Sequence, residues 1–357
     1  VRFHLPALPG QPTIAANSSC AYTQKVRRFA SMMHDCGHHV ILYGGGDNDA
    51  RCNEYVPAYQ DTEPVAFDPT AWAPGNAAVI GEIAARVEPG DVILLIAGRC
   101  QETIVNAFPN HTCVEFGIGY GGSFAAFRVF ESYAWMHSTY AAQGGPDPHA
   151  LDGNAYHAVI PNYFDVEDFP AGDGSGDFLL YVGRLIERKG VEVAVNVARA
   201  TGMTLFLAGE GQYRPGEGEP NIEYVGAVEP GQRAAMMGKA RCLLAPTTYI
   251  EPFGGVVVEA ALCGTPAITT DWGAFPETVV QGITGYRCRR LGEFIWAAEH
   301  ADTLYRGNIR NRAIAKYSVD AIAPRYEAYF AHLATLQNGR GGWYDPRPAP
   351  PGLAVPG

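Results

Sequence analysis

Pro246-Thr-Thr-Tyr-Ile-Glu-Pro-Phe-Gly-Gly-Val-Val-Val-Glu259, continuing through Ala-Ala-Leu-Cys-Gly264-Thr-Pro266, is the stretch that decides the fold. Cys242 to Ala245, just before it, is a short apolar run suited to a buried parallel strand. Thr247 to Gly255 reads as a loop, and Val256 to Cys263 as a short apolar helix stopped by Gly264 and Pro266. Ala267 to Thr270 reads as the next strand. Two glycines at the helix start let a ligand approach the backbone closely. The free amides of such a helix start suit an anion or sugar oxygens. Glu251 in the loop and Glu259 about one helical turn inside flank this point. An ionised carboxylate only accepts hydrogen bonds, which suits sugar or ribose hydroxyls.

The whole string, two glutamates with seven residues between them and Pro-Phe-Gly after the first, resembles the donor-binding motif of the retaining glycosyltransferases of family 4, which have the GT-B fold. The glutamate spacing alone would carry nothing; the agreement of strand, loop, glycine pair, helix and stop does. A second block resembles the same family. In Phe178-Leu-Leu-Tyr-Val-Gly183-Arg184 a strand ends in Gly-Arg, and Lys189-Gly190 precedes a helix over 191–201. Ala158-Val-Ile-Pro-Asn162-Tyr-Phe-Asp165 resembles the family's segment between domains, with Tyr163 for the usual Gly, and Gly282-Ile-Thr-Gly285 resembles its Gly-x-Thr-Gly turn.

The chain's 357 residues suffice for two domains with substantial cores. A net charge of −11 argues against nucleic acid, which calls for a basic face. No apolar run approaches the ~18 residues of a membrane span. The N-terminus lacks a charged-then-apolar signal layout. Eight scattered cysteines without a Cys-x-x-Cys pair read as free thiols of a cytoplasmic protein, with no zinc site.

In the first half, Phe3–Leu8 reads as a strand, 22–36 as a helix and His39–Tyr43 as a strand. Val26, Phe29, Ala30 and Met33 form the helix's apolar face, with Lys25, Arg27 and Arg28 on another, read as solvated rather than membrane-bound. Gly44 to Asp49 reads as a polar turn, not a phosphate loop or an Asp-x-Asp metal site. Residues 54–75 read as an irregular excursion, 76–87 as a helix, and Asp91–Ala97 and His111–Phe116 as strands. Residues 124–140 read as a helix with an aromatic stripe belonging to the core. Near the end, 318–336 reads as a long amphipathic helix resembling the family's terminal segment that crosses back to the first domain. Asn338–Gly357, rich in Gly and Pro, reads as a disordered tail.

The resemblance implies two doubly wound Rossmann-like α/β domains facing across a cleft: an acceptor-side domain over 1–165, completed by the helix over 318–336, and a nucleotide-sugar domain over 177–317. It implies a retaining, metal-independent hexosyltransferase. The donor is a nucleotide-diphosphate sugar, UDP- or GDP-linked, with no further cofactor; the acceptor is a small molecule, a glycan or a lipid-linked acceptor. By position, Arg184 and Lys189, beside Gly183, hold the diphosphate and Glu259 takes the ribose. Glu251, with the backbone amides of Phe253, Gly254 and Gly255, holds the transferred sugar. The family's His after the strand at 112–116 has no counterpart; Glu115 or the backbone amides of 117–122 are candidates for that sugar contact. Rival readings are a sugar-nucleotide epimerase or hydrolase of the same fold and a non-catalytic nucleotide-sugar binding protein.

Overall fold

The computed structural model describes residues 1–17, 20–60, 63–119, 122–144, 153–213 and 221–336. The expected tail at 338–357 lies outside them. The chain divides into two compact units, Val1–Tyr163 with the chain from Ile322 onward, and Phe164–Ala321.

The first unit is built on seven strands: β1 (Arg2–Pro6), β2 (His39–Gly44), β3 (Glu54–Pro57), β4 (Val92–Leu95), β5 (Thr112–Phe116), β6 (Phe127–Phe130) and β7 (His157–Val159). They pair in parallel in the order β3-β2-β1-β4-β5-β6-β7. Helices α1 (Ala21–Asp35), α2 (Pro69–Ala84), α3 (Glu102–Ala107) and α4 (Tyr133–Gly144) connect them. Ile41, Leu42, Ile93 and Leu94 are completely buried, as expected of strands covered on both faces.

The second unit has six parallel strands: β8 (Phe178–Val182), β9 (Thr204–Ala208), β10 (Ile222–Gly226), β11 (Cys242–Ala245), β12 (Ala267–Thr270) and β13 (Gly285–Cys288), ordered β10-β9-β8-β11-β12-β13. Its helices are α5 (Val191–Thr201), α6 (Pro230–Lys239), α7 (Gly255–Leu262), α8 (Phe275–Thr278), α9 (Leu291–His300) and α10 (Arg306–Tyr317). The last helix, α11 (Val319–Leu336), passes from the second unit into the first. There Tyr326 meets Phe29 edge-on at 5.1 Å, Phe330 packs 4.7 Å from Phe3, and Arg325 donates to the carbonyl of Val159.

Three expectations for the first half are corrected. Residues 54–57 form β3, in register with β2, and Pro57 is tolerated because this is an edge strand. The following helix starts at Pro69 rather than 76: Asp68 caps it, accepting from the amides of Thr70 and Ala71, and Pro69 takes the first turn, where a missing N–H costs nothing. Pro74 and Gly75 look like breakers, yet lie inside this helix. The absent side chain at Gly75 makes room for the Tyr59 ring, and Trp72 is buried completely. Residues 124–140 are not one helix. Phe127–Phe130 pair with Val114–Phe116 and His157–Val159 as β6. The helix begins only after Ser132, whose Oγ accepts from the Trp135 amide. Aromatic and branched residues suit a strand at least as well as a helix, and the open edge of β5 decides between them.

Candidate functional site

In the second unit the chain runs outward from β8 through β9 to β10, then returns to lay β11 on the other side of β8. At such a switch point the connections leave in opposite directions and open a crevice at the carboxyl ends of the strands. Gly183-Arg184 leaves β8 here, and Pro246 to Glu251 leaves β11.

Two backbone contacts tie these segments together. Gly190, at φ +74°, ends a short 3-10 turn over Glu187–Lys189; a Cβ there would lie 2.0 Å from the carbonyl oxygen of Pro246. The Thr248 amide donates to the Arg188 carbonyl at 2.9 Å. The pinned loops bring Lys189 Nζ within 2.7 Å of Glu251 Oε2. The Tyr249 ring lies beside both cations, 4.2 Å from Arg188 Cζ and 5.0 Å from Lys189 Nζ. The carbonyl of Glu251 accepts from the Ala274 amide, which anchors the loop to the end of β12. Lys189 is thus paired, whereas Arg184 is exposed and forms no ion pair among the described residues. Its backbone is held, since Tyr181 Oη donates to the Arg184 carbonyl.

The α7 start follows directly. Gly254 adopts φ +78°, and a Cβ would meet the Phe275 ring at 2.8 Å, so only glycine fits. The amides of Phe253, Gly254 and Gly255 donate to no group among the described residues. The Phe253 side chain is a core plug, stacked 6.4 Å from Phe164 and edge-on to Tyr317 at 5.8 Å, so only its backbone faces a ligand's chemistry. One turn into α7, Glu259 lies 3.2 Å from Arg233 Nε of α6, both largely buried. The structure thus brings Lys189 and Glu251 together, and gives Glu259 a separate partner.

In the first unit, Glu115 is the second-last residue of β5 and has no exposed surface. Its Oε2 accepts from the amides of Phe124 and Ala125 at 2.9 and 3.3 Å, while Oε1 is buried without a partner among the described residues. Burial pushes its carboxyl up to about 7, against the pull of those amides and of Arg128 and Arg99. Of the glycine-rich run at 117–122, residues 120 and 121 lie outside the described residues.

The solvated basic face expected on α1 is corrected. Lys25 is buried, 2.5 Å from Glu131, and burial lowers its pKa; Arg27 pairs with Asp49. The helix rotates Lys25 toward the ends of β5 and β6, where Gly117 leaves it room. Asp49 also accepts from the Ala15 amide, and no cluster of His, Cys, Asp and Glu among the described residues could hold a metal.

Sequence reasoning missed Arg233, the Lys25–Glu131 pair and the stacking of Arg188 on Tyr249. Tyr249 lies inside the motif and gave a signal; an arginine on a short helix gives none.

Residues 167–317 match the family model for glycosyl transferases group 1. The match spans 151 of the chain's 357 residues. The matched segment contains the α7 start together with Arg184, Lys189, Arg233, Glu251 and Glu259. Glycogen synthase of Mycobacterium tuberculosis is 38% identical over 123 residues, 31% of this chain and 30% of that protein. Phosphatidyl-myo-inositol mannosyltransferase of the same organism is 31% identical over 186 residues, 47% of each. The chain thus spans less than half the length of the curated relatives it matches. Anabaena Alr3699/HepE, solved in complex with UDP-glucose, superposes with a TM-score of 0.65 at 16% identity, covering 94% of this chain and 99% of that one. The fold is GT-B, two doubly wound α/β units, and the resemblance to family 4 glycosyltransferases stands. Among the described residues no helix is long and apolar enough to cross a membrane.

Proposed function

We propose that this chain is a retaining glycosyltransferase that moves a hexose from a nucleotide-diphosphate sugar, UDP-linked in the first instance, to an acceptor hydroxyl without a divalent metal. The observation that carries the reading is the meeting of Lys189, Glu251 and the open amides of Phe253 to Gly255 at the β8/β11 switch point. A cation, an acceptor-only carboxylate and a row of amides are what a diphosphate joined to a sugar requires. The choice of UDP draws on the UDP-glucose held by the Anabaena neighbour.

Without ligand, Lys189 and Glu251 neutralise each other. The diphosphate takes over Lys189 and recruits Arg184; a sugar hydroxyl takes over Glu251, and Glu259 accepts from the ribose. As the bond from the anomeric carbon to phosphate oxygen breaks, the diphosphate gains charge, which the two cations and the helix start stabilise. The acceptor oxygen bonds the same face of that carbon, and its proton passes to the departing phosphate oxygen. The acceptor belongs to the first unit in this reading.

The test is incubation with UDP- and GDP-hexoses, with and without glycan or lipid-linked acceptors, following free nucleoside diphosphate. Release that depends on acceptor, with the anomeric configuration kept, is expected. Donor turnover with no acceptor dependence would point to a hydrolase or epimerase, and tight binding without turnover to a binding protein; either refutes the proposal. Glu251→Gln should fall mainly on kcat, because its contact strengthens as the sugar ring gains charge, and Glu259→Gln mainly on KM.

A further inference from the structure

The second unit buries several arginines, and most have an evident structural use. Arg306 donates to the carbonyls of Gly238 and Ala240, and Arg310 to those of Phe169 and Leu262. Both close off backbone acceptors at helix and strand ends. Arg233 is different. Its side chain is 18% exposed, its Nε is buried without a well-formed hydrogen bond among the described residues, and its ion-pair partner is Glu259 Oε2 at 3.2 Å, itself 16% exposed. Burying a guanidinium against a carboxylate costs desolvation that a misaligned pair repays poorly.

The placement gives the pair another use. α6 follows β10 and α7 follows β12's neighbour β11, so both helices start at the carboxyl edge of the same parallel sheet, and they pack side by side. Arg233 is the fourth residue of α6 and Glu259 the fifth of α7. The two therefore stand at the same depth, one turn below the edge where the donor is assigned. Arg233 reaches Glu259 from the neighbouring helix and touches one carboxylate oxygen.

We propose that Arg233 is a positioning residue: it fixes the Glu259 carboxylate so that its free oxygen accepts from the 2′-hydroxyl of a nucleoside diphosphate, and thereby sets preference for ribose over 2′-deoxyribose. This rests on the donor site proposed above. Arg233 itself touches no reacting atom. Its loss leaves the charge of Glu259 in place and frees the carboxylate to rotate, so it weakens recognition of the hydroxyl and leaves binding of the diphosphate unchanged.

The experiment is calorimetric titration of the full chain with UDP, GDP and their 2′-deoxy counterparts, read on the pair the wild type binds more tightly. Wild type should prefer the ribonucleotide by about tenfold or more, the scale of one hydrogen bond to a charged group. Arg233→Gln should bring the preference to within about twofold, by weakening only the ribonucleotide. Glu259→Gln should do the same, and the double variant should lose no more than Glu259→Gln alone, because both act on one contact. Arg233→Lys, which keeps the charge and bulk, should restore part of the preference. A merely structural arginine predicts equal weakening of both nucleotides with a lowered Tm, and that result overturns the inference. So does an unchanged preference in Arg233→Gln when Glu259→Gln loses it. If wild type binds none of the four, or Glu259→Gln keeps the full preference, the donor-site reading fails first and takes this inference with it.

Discussion

Replacing Gly190 by alanine tests the contact that holds Lys189 in place. Gly190 adopts φ +74°, and a Cβ would lie 2.0 Å from the oxygen and 2.8 Å from the carbon of the Pro246 carbonyl. Gly202, at the end of α5, adopts φ +71° with nothing within 4 Å of its Cβ position. The left-handed conformation costs an L-residue about 1–2 kcal/mol, the same at both sites. The gain from a stiffer unfolded chain is also shared. Only Gly190→Ala must in addition push two backbone segments apart, and such overpacking costs about 1–3 kcal/mol. Gly190→Ala should therefore be less stable than Gly202→Ala by about 1–3 kcal/mol, a Tm lower by roughly 3–10 °C for a unit of this size. Thermal melts of the two full-length variants, side by side, give the difference. The same displacement moves Lys189 away from Glu251, so UDP affinity should fall in Gly190→Ala and hold in Gly202→Ala. Equal destabilisation by both substitutions, with equal UDP affinity, would refute the argument, because it would mean that the two loops do not meet at Pro246.

Arg184→Ala and Lys189→Ala should each cost about 2–4 kcal/mol of transition-state stabilisation, the scale for a preorganised charge donor, and unchanged turnover in both would remove them from the site. Turnover should persist in EDTA and in Asp47→Ala; loss in both, restored by Mn²⁺ or Mg²⁺, would overturn the metal-free reading. Phe253→Ala should lower stability by about 3–5 kcal/mol in a denaturant titration, since its ring is wedged between Phe164 and Tyr317. Glu115, held up to about 7, keeps in the folded state a proton that the unfolded chain releases near its ordinary value of about 4.3. The stability it contributes is full below about pH 4 and is lost as pH rises through about 7, so Glu115→Gln should gain on wild type by roughly 2–3 kcal/mol between pH 5 and pH 8; a pH-independent difference would contradict the burial argument.

The sequence by itself determined the donor half. The expected bounds of β11 and β12 coincide with those observed, because each is an apolar run closed by Gly or Pro within a few residues. The motif from Pro246 to Pro266 likewise carries its own turn, its glycine-limited helix start and its stop. What needed only neighbouring residues was legible. The first half was less so: 127–130 became a strand because β5 offered it an open edge, and the helix runs on through Pro74 and Gly75, which read as breakers, where the Tyr59 ring fills the space at Gly75. The site's pairings were decided by tertiary structure alone. Lys189 meets Glu251 across 62 residues, Arg233 meets Glu259 between two helices, and Lys25 meets Glu131 inside the first unit. A charge's hydrophilicity, read locally, places it at the surface. Whether it is buried depends on which strand ends the topology sets beside it, because only a partner delivered there can offset the loss of water.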